Sequence, residues 1–304
     1  MPTSKTLRDL IPLVLGSVES DNTRRVYSSQ LESFLEWWDE LEEAHLSKAT
    51  VQSYLDFLRG IGKSASSRNQ ALTVLRRLVN EAVDAGMVAD TASHTVGKIR
   101  AVKRRGQRTG NWLSQEQAQQ LVQAPDSTTL KGKRDRVMLG LLLECGLRRE
   151  EAADVQVRQV QERDGRMVLA DLKGKGGRLR TVPVHWRTAH VIADWIAAAN
   201  ITRGPLLQHV NKADRVEDKG EGISTTAIYK QVRQYAEKLG VSIRPHDLRR
   251  TFGHLSREGG AELDQIQATL GHATIRTTEI YLGDRQKLKN GEAPCDKIDL
   301  GKKK

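Results

Sequence analysis

Cysteine is nearly absent from this chain. Cys145 and Cys295 are the only two in 304 residues, one within an apolar run and one close to the C-terminal end, so no disulfide framework is available. Long apolar runs are missing as well. The nearest approach, LIPLVLGSV from Leu10, falls far short of the roughly 20 residues that span a bilayer and contains Pro12. No basic n-region with a small-residue cleavage site marks a secretory signal, and a reducing cytoplasm is the expected setting. HExxH, CxxC and clustered carboxylates are absent too. His246, His254 and His272 fall in one region, but Arg249 and Arg250 beside them would repel a cation, so no metal is expected. GKGG, at 174–177, lies between strand-like runs and not before a helix, so no nucleotide cofactor is expected either.

What is present in excess is positive charge, +11 overall. Its distribution is uneven: residues 1–97 hold 10 Lys+Arg against 13 Asp+Glu, which leaves 39 against 25 for residues 98–304. The excess begins at KIRAVKRRGQR, where Lys98, Arg100, Lys103, Arg104, Arg105 and Arg108 meet no acidic residue. A polyanionic partner is implied. The run reads either as a solvated linker or as a linker that tracks phosphates between two domains.

Residues 1–97 read as helices throughout. In TRRVYSSQLESFLEWWDEL, the positions Tyr27, Leu31, Phe34, Leu35, Trp38 and Leu41 form a helical apolar stripe behind the capping candidates Ser20, Asp21 and Asn22. Val51, Tyr54, Leu55 and Leu58 repeat the pattern, as do Leu72, Leu75, Leu78, Val79, Ala82 and Val83 before a terminating Gly86. Three or four helices on short turns make a compact bundle. Beyond the basic run, Ser114 and Gln117 form a capping box, and RDRVMLGLLLECGL is an apolar helix broken at Gly146. The stretch from Val155 to His185 then alternates around Asp164-Gly165 and around GKGG, which predicts a three-stranded antiparallel meander. Helical patterns return after it, one of them with Pro245 in its first turn.

Several side chains stand where ordinary surface charge does not. Arg148 follows the break of an apolar helix and emerges from the core. Lys175 occupies the tip of a glycine-flanked hairpin, where a ligand can approach the backbone closely. His246 and Arg249 share one helix face, and His272 follows Leu-Gly at an expected helix start. Tyr281 lies nine residues beyond His272, two and a half helical turns, so the two side chains converge only if the chain bends between them. Arginines, a lysine and histidines suit a phosphoryl group gaining negative charge, and a tyrosine can hold phosphate covalently.

GLRREEAADV, LKGKGGRLRTVPV, PHDLRRTF and LGHATIRTTEIYL, in this order, resemble the arginine, lysine, HxxR, LGH and tyrosine boxes of the tyrosine recombinase (phage integrase) family. The likeness covers nearly the whole chain. Two positions depart from the family pattern: Arg250 stands where histidine is frequent, and the first box reads RREE. The resemblance implies a mainly α protein, with a helical SAM-like core-binding bundle over 1–97, a basic linker over 98–111, and a catalytic domain over 112–304 that carries a small three-stranded antiparallel sheet in a DNA breaking-rejoining fold. It implies a site-specific DNA recombinase acting on double-stranded DNA, with Tyr281 as nucleophile, Arg148, Arg249 and His272 on the phosphate, Lys175 as general acid, His246 as base and Glu151 as a buttress. A homotetramer on two duplexes, a 3′-phosphotyrosyl intermediate and a Holliday junction follow from it, without cofactor or metal.

Arg24, Arg25, Arg68, Arg76 and Arg77, with Lys103, Arg104 and Arg105, are the candidate DNA contacts outside the boxes. Thr277 and Thr278 are the expected caps of the tyrosine helix. After Tyr281, a lysine-ended tail with Leu288, Ile298 and Leu300 suits either docking on a neighbouring copy or contact with DNA. A type IB topoisomerase, which shares the chemistry, and a non-catalytic DNA-binding protein are the rival readings. The recognition sequence and the biological outcome, whether integration and excision, dimer resolution or inversion, are not written in the chain.

Overall fold

The computed structural model describes residues 3–41, 45–102, 111–174, 177–217 and 220–282. The chain divides into two compact units, residues 1–107 and 108–304. The first is a helical bundle of α1 (Ser4–Arg8), α2 (Ile11–Gly16), α3 (Asp21–Asp39), α4 (Lys48–Gly60), α5 (Ala65–Asp84) and α6 (Thr91–Gly97). The periodic stripes become its core: Leu31, Phe34, Leu35 and Trp38 of α3 pack with Val51, Tyr54, Leu55 and Leu58 of α4 and with Leu72, Leu75, Leu78 and Val79 of α5. Ser20 caps α3 by accepting from the Thr23 amide, and Gly86, at φ +68°, ends α5 as expected. Leu41 is an exception, lying beyond the end of α3 and exposed. The basic run does not leave the bundle at once: Ile99 is buried in it, and Asn69 exchanges two hydrogen bonds with the Val102 backbone.

The second unit begins with α7 (Gln115–Gln123), whose Ser114–Gln117 capping box forms as read, and α8 (Leu130–Leu143), whose C-terminal half is apolar, buried and central to the core. After α9 (Arg149–Asp154) and a short 3-10 turn come β1 (Val160–Arg163), β2 (Arg166–Lys173) and β3 (Leu179–Pro183), an antiparallel meander in the order β1-β2-β3. Asp164 and Gly165 both take positive φ, as a two-residue hairpin loop requires. The remaining elements are α10 (Trp186–Ala198), β4 (His209–Val210), β5 (Val216–Glu217), α11 (Thr225–Lys238), α12 (Pro245–Glu258), α13 (Leu263–Leu270) and α14 (Ile275–Leu282). The β4–β5 ladder was not legible in the sequence, because two-residue strands carry no periodicity. Its turn carries Asp214, whose carboxylate accepts from the Leu130 and Lys131 amides and so caps α8. Among the described residues no helix is long and apolar enough to cross a membrane.

Candidate active site

Tyr281 owes its position to the way α14 sits on α12. Leu282 packs with Ile266 and Leu270 of α13, and its Cδ2 lies only 2.7 Å from where a Cβ on Gly253 would be. The Leu282 side chain therefore rests against α12 where Gly253 leaves it room. The Tyr281 ring is held edge-on to His246 at 5.7 Å and to His272 at 5.1 Å between centroids, and the Arg250 guanidinium lies over its face at 5.5 Å. Its hydroxyl is buried beside Arg249 without a hydrogen bond of normal geometry. Burial pushes the phenol up to about 12, against the opposing pull of Arg249 and Arg250.

The bend that brings His272 to Tyr281 is a four-residue corner between α13 and α14, with Gly271 in the left-handed region at φ +62°. His272 thus follows a helix end and does not begin one. The expected cap moves too: Thr274, whose hydroxyl accepts from the Thr277 amide at 3.3 Å, closes the start of α14. Thr277 and Thr278 lie inside the helix. Neither of the caps read from the sequence serves, and Thr278 is fully buried against His272 instead. The Thr278 hydroxyl is 3.0 Å from His272 Nδ1. Burial, and then Arg249, Arg148, Arg180 and His246, lower the His272 pKa to about 4, so its ring is neutral near pH 7. The His246 pKa is lowered as well, by burial and by Arg250 and Arg249.

The arginines gather around one carboxylate. Gly146, at φ +62°, turns the chain after α8, and Arg148 becomes the N-cap residue of α9. Glu151 accepts from the Arg148 amide at 2.8 Å and from its Nη1 at 2.7 Å. Arg180 of β3 grips the same carboxylate at both oxygens, at 3.0 and 2.8 Å. Arg249 is 1% exposed and lies 3.9 Å from Glu151; its Nη1 donates to the Gly146 carbonyl at 2.7 Å and its Nη2 to the Leu270 carbonyl. One side chain thereby ties the turn after α8 to the end of α13. Burial by itself would raise the Glu151 pKa, but the hydrogen bonds from Arg180 and from the Arg148 backbone bring it down to about 2. Three guanidiniums against one carboxylate leave the site strongly anion-attracting.

The structure thus brings together Arg148, Glu151, His246, Arg249, His272 and Tyr281. Lys175 lies outside the described residues, although the Gly174 amide donates to the Arg178 carbonyl and the Gly177 amide to the Gly174 carbonyl where the hairpin closes. Lys103, Arg104 and Arg105 also lie outside them, as does the tail with Leu288, Ile298 and Leu300. Of the bundle arginines, Arg76 donates to the Gly97 and Ile99 carbonyls, Arg24 to the Val18 carbonyl and Asp21, and Arg77 to Ser17. These three hold the bundle's own connections. Arg25 is exposed and Arg68 half-buried. Sequence reasoning missed Arg180 and the role of Thr278. The available signal for Arg180 was its place two residues before Val182, on the inward face of β3.

Comparison with known proteins identifies the family and the fold. Residues 111–287 match the phage integrase family and residues 13–86 match the phage integrase N-terminal SAM-like domain. The chain belongs to the phage integrase family and is a tyrosine recombinase. Its relatives include the tyrosine recombinase XerC of Thermodesulfovibrio yellowstonii, 28% identical over 267 residues, and XerD of Pseudomonas aeruginosa, 28% identical over 272, each alignment covering 86% of both chains. Among solved structures, the XerH site-specific recombinase in a post-cleavage complex with palindromic difH substrate superposes with a TM-score of 0.72 at 19% identity, over 92% of this chain and 80% of that one. A lambda integrase (75–356) dimer bound to a COC′ core site gives 0.69 at 18% identity, over 98% and 99%. These likenesses establish the mainly helical integrase fold with its small antiparallel sheet.

Proposed function

We propose that this recombinase cleaves and rejoins double-stranded DNA at specific sites through Tyr281. The phenolic oxygen attacks the scissile phosphorus, the bond from phosphorus to the 5′-oxygen breaks, and a 3′-phosphotyrosyl ester and a free 5′-hydroxyl result. Arg148 and Arg249 hold the non-bridging oxygens where charge grows, each worth on the order of 10²–10³ in rate. His246 takes the phenolic proton and Lys175 delivers one to the leaving 5′-oxygen, steps typically worth about 10²–10⁴-fold. His272, neutral and accepting at Nδ1 from Thr278, presents an Nε2–H to the phosphate. The ester conserves the bond energy, so attack by a 5′-hydroxyl of the partner duplex completes exchange without ATP. The observation that carries this reading is the convergence of Tyr281, two histidines and Arg249 beside the arginine-held Glu151.

Under this reading residues 1–97 and 112–304 grip the duplex from two domains joined by the basic segment 98–111, four copies assemble on two duplexes in the cytoplasm, and exchange passes through a Holliday junction. Tyr281→Phe tests the central step. It is expected to bind a DNA site as the native chain does, because the ring still packs, while forming no covalent adduct. Persistence of the adduct would move the nucleophile to another residue. Holliday-junction formation by the native chain separates strand exchange from simple nicking and closing.

A further inference from the structure

Glu151 presents a problem that the cleavage chemistry does not solve. A buried carboxylate within bonding distance of Arg148 and 3.9 Å from Arg249 competes with a phosphate for the groups meant to hold it, and it repels the phosphate as well. Arg180 removes both difficulties. Its two terminal nitrogens meet both Glu151 oxygens in a fork, a geometry that matches carboxylate and that lysine cannot reproduce. With Glu151 neutralised from the far side, Arg148 is held through its amide and Nη1 and remains partly exposed, its side chain 31% accessible to an incoming anion.

Arg180 also reaches the other parts of the site. Its Nε donates at 3.0 Å to the Thr269 carbonyl, one residue before the Leu270 carbonyl that Arg249 takes, so the two arginines together cap the end of α13 from which His272 emerges. Gly271 and Gly174 both pass close to it: a Cβ on Gly271 would lie 3.0 Å from Arg180 Cδ, and one on Gly174 would lie 3.2 Å from its Nη1. Gly174 is the residue immediately before Lys175. Three separate elements, the base of the β2–β3 hairpin, the start of α9 and the α13–α14 corner, are therefore built against one guanidinium.

We propose that Arg180 is a positioning residue for cleavage, which makes ionised Glu151 a charge-compensated scaffold for the Arg148–Arg249 pair and locks that pair to the hairpin base and the His272 corner. The inference rests on the recombinase reading. Its test compares DNA-site affinity and the single-turnover rate of covalent adduct formation for the native chain, Arg180→Gln, Arg180→Lys, Glu151→Gln and the Glu151→Gln/Arg180→Gln double variant. Arg180→Gln is expected to bind DNA normally and to form adduct on the order of 10²-fold more slowly. The double variant is expected to be faster than Arg180→Gln, because the uncompensated carboxylate is then gone. Losses that multiply in the double variant, or a cleavage defect matched by an equal loss of DNA affinity, would overturn the role by reducing Arg180 to a general structural contact. If Arg180→Gln does not fold, Arg180→Lys decides: it retains charge but not the fork, so slowed cleavage with normal binding supports the proposal and native behaviour refutes it. Absence of adduct from the native chain itself sinks the recombinase reading, a result distinct from all of these.

Discussion

At His272 and Glu151 the site's charge is set by burial and by guanidiniums, and both consequences are measurable. The Thr278 hydroxyl lies 3.0 Å from His272 Nδ1, and in the proposed mechanism it donates there and leaves Nε2–H for the phosphate. Thr278→Val keeps the shape and removes that hydrogen bond, so adduct formation is expected to slow by roughly tenfold, less than the loss of a whole donor, with DNA affinity unchanged. Glu151 is held ionised in the folded chain down to about pH 2, against an ordinary value of 4.5. Between these values the unfolded chain binds the extra proton, so this contribution to stability is complete above pH 4.5 and is lost as pH falls toward 2. Glu151→Gln is expected to remove a share of acid sensitivity on the order of 2–3 kcal/mol, read from denaturation midpoints across that range. His272 acts in the same direction, with stability lost as pH falls from 6.5 through about 4.

Among the elements, α14 is the one whose seat decides whether Tyr281 reaches the site. It is a helix of 8 residues anchored by Leu282, the fully buried Thr278 and the absence of a side chain at Gly253. Gly253→Ala places a Cβ 2.7 Å from Leu282 Cδ2, so the Leu282 side chain that seats the helix must shift. The expected cost in stability is about 1–3 kcal/mol. The expected loss of cleavage is far larger, since a nucleophile displaced by about 1 Å forfeits on the order of 10² in rate. Thermal melts and adduct assays on the same preparation check the two halves of this prediction.

For the molecule as a whole, the important quantity is the separation of charge, with a slight acidic excess over residues 1–97 and a large basic one after them. Arg24, Arg76 and Arg77 make hydrogen bonds within the bundle, and the excess of positive charge lies in residues 98–304. Neutralising Lys103, Arg104 and Arg105 is expected to weaken binding to all sequences alike and to flatten the salt dependence, by roughly 0.9 in log–log slope for each phosphate that is no longer neutralised. A changed site preference at unchanged slope would instead make the segment a reader of bases. Titrations of specific and random duplexes at several salt concentrations make the distinction.

The sequence alone determined whatever is carried by local pattern. Apolar periodicity defined α3, α4 and α5, the Asp164-Gly165 turn defined the β1–β2 hairpin, and the order of the boxes points to Arg148, Glu151, His246, Arg249, His272 and Tyr281. The rest depended on contacts between residues far apart in the chain. Nothing near Arg180 in sequence states that its partners are Glu151, 29 residues before it, and Thr269, 89 after it. The sequence pointed to Thr277 and Thr278 as caps of α14, but the cap falls at Thr274, and Thr278 is buried against His272 instead. Periodicity and capping are properties of a few consecutive residues, whereas the pairing of a buried charge is decided by which distant groups the packed core brings within bonding distance.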